Sequence, residues 1–293
     1  MSRVVIATRG SQLAVGQAEF LVEHLRTCGF EVEWRRFTTS GDQWLAGPLN
    51  EARGTGFFTK ELEDALTVGS ADLLIHSLKD VALARPEGYV VACIPEREDP
   101  SDWLVSCKGL DLPTATIGTS SVRRERMLSA AWLGTSFTWI RGNVPTRVQR
   151  VREGLLRDLP LHGTLLAASG LKRLALDLTD LDVRALTPEE LLPAPGQGAL
   201  LAETRADRPD LIEAFASLHH APTQRCVELE RRVLAGIGGG CQQPLGALAT
   251  VRSDGGIRLR AAFAGEELIQ HAEAEGLDDE AVLAAVLGQL GWK

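Results

Sequence analysis

Two short strand-like runs joined by one amphipathic helix leave this chain few ways to begin folding. Val4–Ala7 is a short apolar run, and polar Thr8, Arg9, Gly10 and Ser11 follow it. Ala14, Ala18, Leu21, Val22 and Leu25 then recur at helical spacing, which predicts a helix with one buried face that ends at Gly29. Val32 and Trp34 alternate with charges and mark a second strand. Strand, helix, strand in that order requires a crossover and implies a parallel sheet. In such sheets reactive groups gather where the strands end, so the residues after each apolar run carry the most information.

Ala71–Asp80, ADLLIHSLKD, has this form. Leu73, Leu74 and Ile75 read as a buried strand, and His76, Ser77, Lys79 and Asp80 follow at once. Taken locally, Lys79 and Asp80 are equally a surface ion pair of little energetic consequence. The preceding Ser40–Gly56 stretch is polar, glycine-rich and long for a connection, a pattern common in functional or mobile loops. A helix is expected over Phe58–Leu66. After Asp80 come a turn at Arg85–Gly88, a strand at Val90–Ile94 and a charged segment bracketed by Pro95 and Pro100, the first candidate linker.

A second α/β block opens at Asp102, with strands expected near Trp103–Val105, Thr116–Gly118, Phe137–Ile140 and Leu165–Ala168. Thr187-Pro188-Glu189-Glu190 fits a capping box with proline at the first helical position, so a helix is expected there. Leu192–Gly196 is a second break and a candidate return crossing, followed by a strand at Ala199–Glu203. From Ala221 the character changes: a helix over about Thr223–Ala235, the loop Gly236–Cys241, a hairpin of Leu245–Val251 and Ile257–Phe263 around Ser253–Gly256, and a last helix Asp279–Leu290. With 293 residues the chain accommodates two or three domains.

The net charge of −8 argues against a general nucleic-acid binder, and no binding motif or aromatic interleaving accompanies the basic points. No run is long enough for a signal peptide or a membrane span, so a cytoplasmic protein that keeps away from membranes is expected. Five cysteines without a CxxC pair fit neither a disulfide framework nor a zinc site. Four of them read as filler in apolar or helical surroundings. Cys241, behind three glycines, is open to three readings: nucleophile, attachment point or inert thiol.

Positive charge recurs at strand ends. Gly118-Thr119-Ser120-Ser121-Val122-Arg123-Arg124 places hydroxyls and two arginines at a helix start, where free N–H groups attract anions. Either serine is also an ordinary N-cap, but two adjacent cations oppose the helix dipole, which points to an anionic ligand or partner. Arg141 and Arg147 flank a turn and suit carboxylate recognition, whereas Arg150 and Arg152 read as a solvated helix face. Arg9 with Ser11, and Lys172 with Arg173, complete four basic strand ends in an acidic protein. That combination suggests a cleft for a polyanionic small molecule. Two successive α/β blocks with basic strand ends also permit an anion-binding receptor without catalysis.

Taken together, these segments resemble the hydroxymethylbilane synthase (porphobilinogen deaminase) family. The resemblance rests on IATRGS at Ile6–Ser11, FFTKELEDAL at Phe57–Leu66, ADLLIHSLKD at Ala71–Asp80, EREDP at Glu96–Pro100 and GTSSVRR at Gly118–Arg124. It continues with RGNVPTR at Arg141–Arg147, SGLKRL at Ser169–Leu174, LPAPGQGAL at Leu192–Leu200 and GGGCQQPLGA at Gly238–Ala247, in family order over nearly the whole chain.

The resemblance implies an α/β fold of two periplasmic-binding-protein-like lobes with the active site between them, plus a small α+β C-terminal domain. The implied boundaries are 1–97 with 198–217, 98–197, and 218–293. The implied reaction is the head-to-tail joining of four porphobilinogen molecules with loss of ammonia, then hydrolysis to hydroxymethylbilane, by a monomer. A dipyrromethane cofactor would be held by a thioether to Cys241 and would act as primer. By the same resemblance Asp80 is the catalytic carboxylate near the pyrrole N–H groups. Lys79, Thr119, Ser120, Ser121, Arg123, Arg124 and Arg147 would hold the cofactor, and Arg9, Ser11, Arg141, Arg173 and Gln197 the substrate or growing chain. No metal is implied. Thr55 stands where the family often has lysine, Pro145 where it usually has glycine, and the C-terminal domain is short. Lys60 is retained and Arg53 could substitute.

Overall fold

The computed structural model describes residues 2–39, 59–239 and 243–292. They form two compact units, one of 2–39, 59–98 and 198–225, the other of 99–197, 226–239 and 243–292. The chain begins with β1 (Arg3–Arg9), α1 (Gln12–Thr27) and β2 (Glu31–Phe37), the expected β-α-β unit, and β1 and β2 pair in parallel. Ser11 caps α1 by accepting from the Ala14 N–H at 3.2 Å. Gly29, at φ +87°, ends it: its N–H reaches Arg26 O and the Phe30 N–H reaches Leu25 O, a left-handed termination that glycine adopts without strain. Next come α2 (Lys60–Thr67), β3 (Leu73–Ser77), a single 3-10 turn over Leu78–Asp80, and β4 (Tyr89–Cys93).

The second unit runs through β5 (Asp102–Ser106), β6 (Thr116–Gly118), α3 (Val122–Ala131), β7 (Ser136–Thr138) and α4 (Val144–Glu153). It continues with the two-residue strands β8 (Leu155–Leu156) and β9 (Leu159–Pro160), then β10 (Gly163–Ala167), α5 (Ala168–Leu174) and β11 (Asp182–Ala185). Its five-stranded sheet has the order β11-β5-β10-β6-β7 and is mixed: β6 is parallel to both β7 and β10, while β5 is antiparallel to β10. The strand expected over Phe137–Ile140 is shorter and earlier than expected.

The helix expected at Thr187 is absent. Thr187 and Glu190 do make the reciprocal capping bonds, Thr187 N–H to Glu190 Oε2 at 3.0 Å and Glu190 N–H to Thr187 Oγ1 at 3.4 Å. They close a lone turn, because Pro193 and Pro195 lie where the next turns would need N–H donors.

The chain then returns to the first unit as β12 (Leu200–Arg205) and α6 (Pro209–Phe215). β12 inserts between β3 and β4, antiparallel to both, giving the order β2-β1-β3-β12-β4. Alternation along the strands divides the core. Val4, Ile6, Leu73, Ile75 and Ala202 pack with Leu21, Leu25 and Phe215 on one face. Ala7 and Leu74 pack with Leu62 and Leu66 of α2 on the other. Each buried leucine contributes about 2 kcal/mol.

α7 (Ala221–Gly236) follows. His219 and His220 precede it rather than lie within it, and His220 Nδ1 sits 2.8 Å from Thr223 Oγ1 in the capping position. The anticipated hairpin is β13 (Leu245–Val251) with β14 (Ile257–Ala264). β15 (Ile269–Gly276) extends it and α8 (Asp279–Gln289) ends the described chain. β15 reads IQHAEAEG, which offers little strand propensity and was not anticipated. The α/β class and the small α+β C-terminal part are as expected. Of the cysteines, Cys93 and Cys226 are buried, whereas Cys28 is exposed at the end of α1 and is not core filler.

Candidate functional site

In the first unit, β1 and β3 are parallel neighbours, so their carboxyl ends deliver side chains to one edge. Arg9 closes β1 and Asp80 closes the turn after β3. The Arg9 Nη1 lies 3.9 Å from Asp80 Oδ2, with about a quarter of each side chain open to solvent. The turn is tied down on both sides of Lys79: the Leu78 N–H donates to Ala199 O at 3.0 Å and the Val81 N–H to Leu78 O at 3.2 Å. Ser11 is used as the α1 cap.

Behind the turn is a buried polar group that no local sequence pattern marks. His76 and Glu203 are each nearly sealed, and His76 Nε2 is 3.7 Å from Glu203 Oε2. Burial pushes the His76 pKa down to about 3, with help from the positive charges of Arg85 and Arg9, so the imidazole is neutral at physiological pH. Glu203 is instead held by Arg85, whose Nε donates at 2.8 Å.

In the second unit, the segment between β6 and α3 carries three hydroxyls with local duties. Thr119 Oγ1 accepts from the Ser121 N–H at 3.2 Å, Ser120 donates to Ile140 O, and Ser121 caps α3 through the Arg124 N–H. Arg123 and Arg124 have their anionic partner inside the protein. Arg123 Nη2 reaches Asp102 Oδ2 at 2.7 Å, and Arg124 Nη2 reaches Oδ1 at 2.6 Å. Gln197 Nε2 donates to the same Oδ1 at 2.9 Å and to Pro100 O at 2.7 Å. Asp102 is fully buried, and the two guanidinium groups hold its carboxyl well below the usual range. A lone acid at the head of an apolar strand, Asp-Trp-Leu-Val, with paired arginines nearby was the signal that could have found it.

Arg141, Gly142 and Asn143 form the turn that starts α4. Asn143 Oδ1 accepts from the Thr146 N–H at 3.0 Å, and Pro145 occupies the second helical position, where its missing N–H costs nothing. Arg147 Nε donates to Gly142 O at 2.9 Å. Among the described residues no carboxylate lies within 4.0 Å of Arg147. Its burial, with Arg124 and Arg141 as positive neighbours, pushes its pKa down to about 10. Arg147 thus lacks a carboxylate of its own among the described residues and has two further guanidinium groups as neighbours, an environment that favours an incoming anion. Arg173 is half-buried near the end of α5, and its neighbour Lys172 turns to Asp99 at 2.8 Å.

Arg150 and Arg152 pair with Glu153 and Asp180 at the surface, as a solvated helix face should. The Ser40–Gly56 loop with Arg53 and Thr55, and the Cys241 position, lie outside the described residues. Among the described residues no group of three or more His, Cys, Asp or Glu side chains is placed to hold a metal, and no helix is long and apolar enough to cross a membrane.

Two family models match the chain. Residues 4–213 match the porphobilinogen deaminase dipyromethane cofactor binding domain, and residues 224–289 the porphobilinogen deaminase C-terminal domain. The chain is 44% identical over 269 residues to porphobilinogen deaminase of Nitratidesulfovibrio vulgaris strain Miyazaki F, covering 88% of this chain and 81% of the relative. It is 40% identical over 296 residues to porphobilinogen deaminase of Albidiferax ferrireducens, covering 98% and 91%. Among solved structures, the periplasmic aliphatic sulphonate binding protein SsuA of Escherichia coli matches 80% of this chain and 70% of its own, at 11% identity and a TM-score of 0.38.

Proposed function

We infer from membership of the porphobilinogen deaminase family, to which this chain belongs, how its own residues divide the work of hydroxymethylbilane synthesis. The enzyme is a transferase of tetrapyrrole biosynthesis that joins porphobilinogen units and releases ammonia. Loss of ammonia leaves positive charge on the pyrrole system, and a partly shielded carboxylate close to it stabilises that charge. Asp80 is the group we assign to this role. It stands on a turn pinned at Leu78 and Val81, and its described ion pair with Arg9 is a loose 3.9 Å, which leaves room at the carboxylate for a pyrrole N–H. It is also suited to moving the protons that C–C bond formation releases. Each pyrrole brings two carboxylates, and Arg9, Ser11, Arg141, Arg173 and Gln197 are assigned to substrate and growing chain.

The cofactor assignment rests on Arg147, which has no carboxylate within 4.0 Å among the described residues. Dipyrromethane bears several carboxylates, so the donor set there fits it. When bound, the group supplies the primer onto which substrate is added. Arg147, Arg124, Lys79, Thr119, Ser120 and Ser121 would hold it. Arg123, turned to Asp102 and Leu192 O, would act chiefly by fixing Arg124. The thioether attachment at Cys241 is part of the same proposal, as are a monomeric, cytoplasmic enzyme and a division into 1–97 with 198–217, 98–197 and 218–293. The gap between the two family matches, 213 to 224, supports a boundary near the last of these.

Two experiments test this reading. Asp80→Asn should lower turnover by about 10²–10³-fold while circular dichroism and the melting midpoint stay unchanged; near-normal turnover would remove Asp80 from the mechanism. Intact-protein mass spectrometry should show a covalent adduct that Cys241→Ser abolishes. An active protein whose mass equals the bare sequence would sink the attachment.

A further inference from the structure

Asp80 sits between a strand paired on both edges and a stretch without regular secondary structure. On its N-terminal side β3 is paired on both edges, to β1 and β12. On its C-terminal side, residues 82–88 contain only bends and turns before β4 begins at Tyr89. One side chain of that stretch reaches back into the sheet. The Arg85 guanidinium grips Glu203 of β12 in bidentate fashion, Nε to Oε1 at 2.8 Å and Nη2 to Oε2, and gives Nη1 to Glu63 of α2 at 2.6 Å. Glu203 is 3% exposed and Arg85 19%. Tyr89 closes the arrangement by donating to Glu63 O and lying under the guanidinium, 5.7 Å from its centre.

Arg85 therefore joins β12, α2 and the chain leaving Asp80. Glu203 faces His76 at 3.7 Å on its other side. That imidazole is buried, and Arg85 is one of the positive charges that keep it neutral.

We propose that Arg85 is a positioning residue for Asp80: its grip on Glu203 and Glu63 fixes the segment after Asp80 and holds the carboxylate in register with the pyrrole N–H groups. The proposal rests on the assignment of Asp80 given above. A reacting carboxylate tolerates little displacement, since a shift of about 1 Å costs on the order of 10²-fold in rate. A merely structural Arg85 would have another signature. Its only task would be to neutralise a buried carboxylate, and replacing both partners by apolar side chains would restore everything.

The test uses the cofactor-loaded enzyme with Arg85→Lys, Arg85→Leu, the double variant Arg85→Leu/Glu203→Leu, and Asp80→Asn alongside. Melting midpoint, adduct mass, kcat and KM for porphobilinogen are measured on each. Arg85→Leu should lower kcat by about tenfold or more with KM changed less than about threefold and the adduct retained, and Arg85→Lys should recover part of that loss. The double variant should regain the melting midpoint but not kcat, and it decides the question if Arg85→Leu alone does not fold. Wild-type kcat in Arg85→Leu, or kcat that returns together with the midpoint in the double variant, would overturn the proposal. Loss of turnover in Asp80→Asn with a fully active double variant would overturn this inference alone; an active Asp80→Asn would overturn the assignment beneath it.

Discussion

Asp102 accepts from Arg123, Arg124 and Gln197 with no surface of its own exposed. Its carboxyl, held far below the usual range, contributes stability that is fully present above the unfolded-state pKa of about 3.9 and is lost as pH falls below it. Asp102→Asn should therefore destabilise the protein by about 3–5 kcal/mol at pH 7, with the difference from wild type shrinking below about pH 4. Urea melts at several pH values measure it, and a difference independent of pH would refute the electrostatic account. Two adjacent arginines at a helix start call for an anion in the sequence itself. That one is supplied from 21 positions away is not legible there, because pairing through space leaves no local pattern. Asp80 was legible as a charge ending an apolar strand; the buried Glu203 was read only as the end of a strand.

Among the elements, the turn into α4 shows how local chemistry sets up a binding group. Gly142 has φ +103°, and a Cβ there would come within 2.8 Å of Thr146 Cγ2. Its carbonyl also holds Arg147 Nε. Gly142→Ala is expected to cost about 1–3 kcal/mol and to displace Arg147, so less of the purified protein should carry the adduct. Full adduct occupancy with an unchanged melting midpoint would contradict this. The cap of α3 is read from the sequence, with either serine a candidate, while the capping roles of Ser11 and Asn143 came only with the structure, although all three act through bonds three residues long. The Thr187 box warns of the limit: its cap bonds form, but the prolines beyond them forbid a helix.

For the whole molecule, the decisive feature is the late return of β12 into the first sheet. Residues 200–205 separate β3 from β4, although those two strands are near neighbours in sequence. A chain ending at residue 197 would leave facing edges of β3 and β4 unpaired, Arg85 without Glu203, and Leu78 N–H without Ala199 O. Such a fragment should lack a cooperative unfolding transition for the first unit, by calorimetry, and should protect few amides of β3 from hydrogen exchange; a native-like transition would contradict this role.

Apolar periodicity, caps and turn residues act over a few positions, so the sequence alone was enough to locate most strands and helices, the charged strand ends and the family motifs. Strand order and the partners of buried charges depend on contacts between positions far apart in the chain, such as Ile6 beside Leu73 and Leu74 beside Glu203. Those were settled only when the sheets closed. Burial then made charge pairing obligatory, and Arg85 and Asp102 acquired their tasks from that enclosure rather than from their neighbours in the chain.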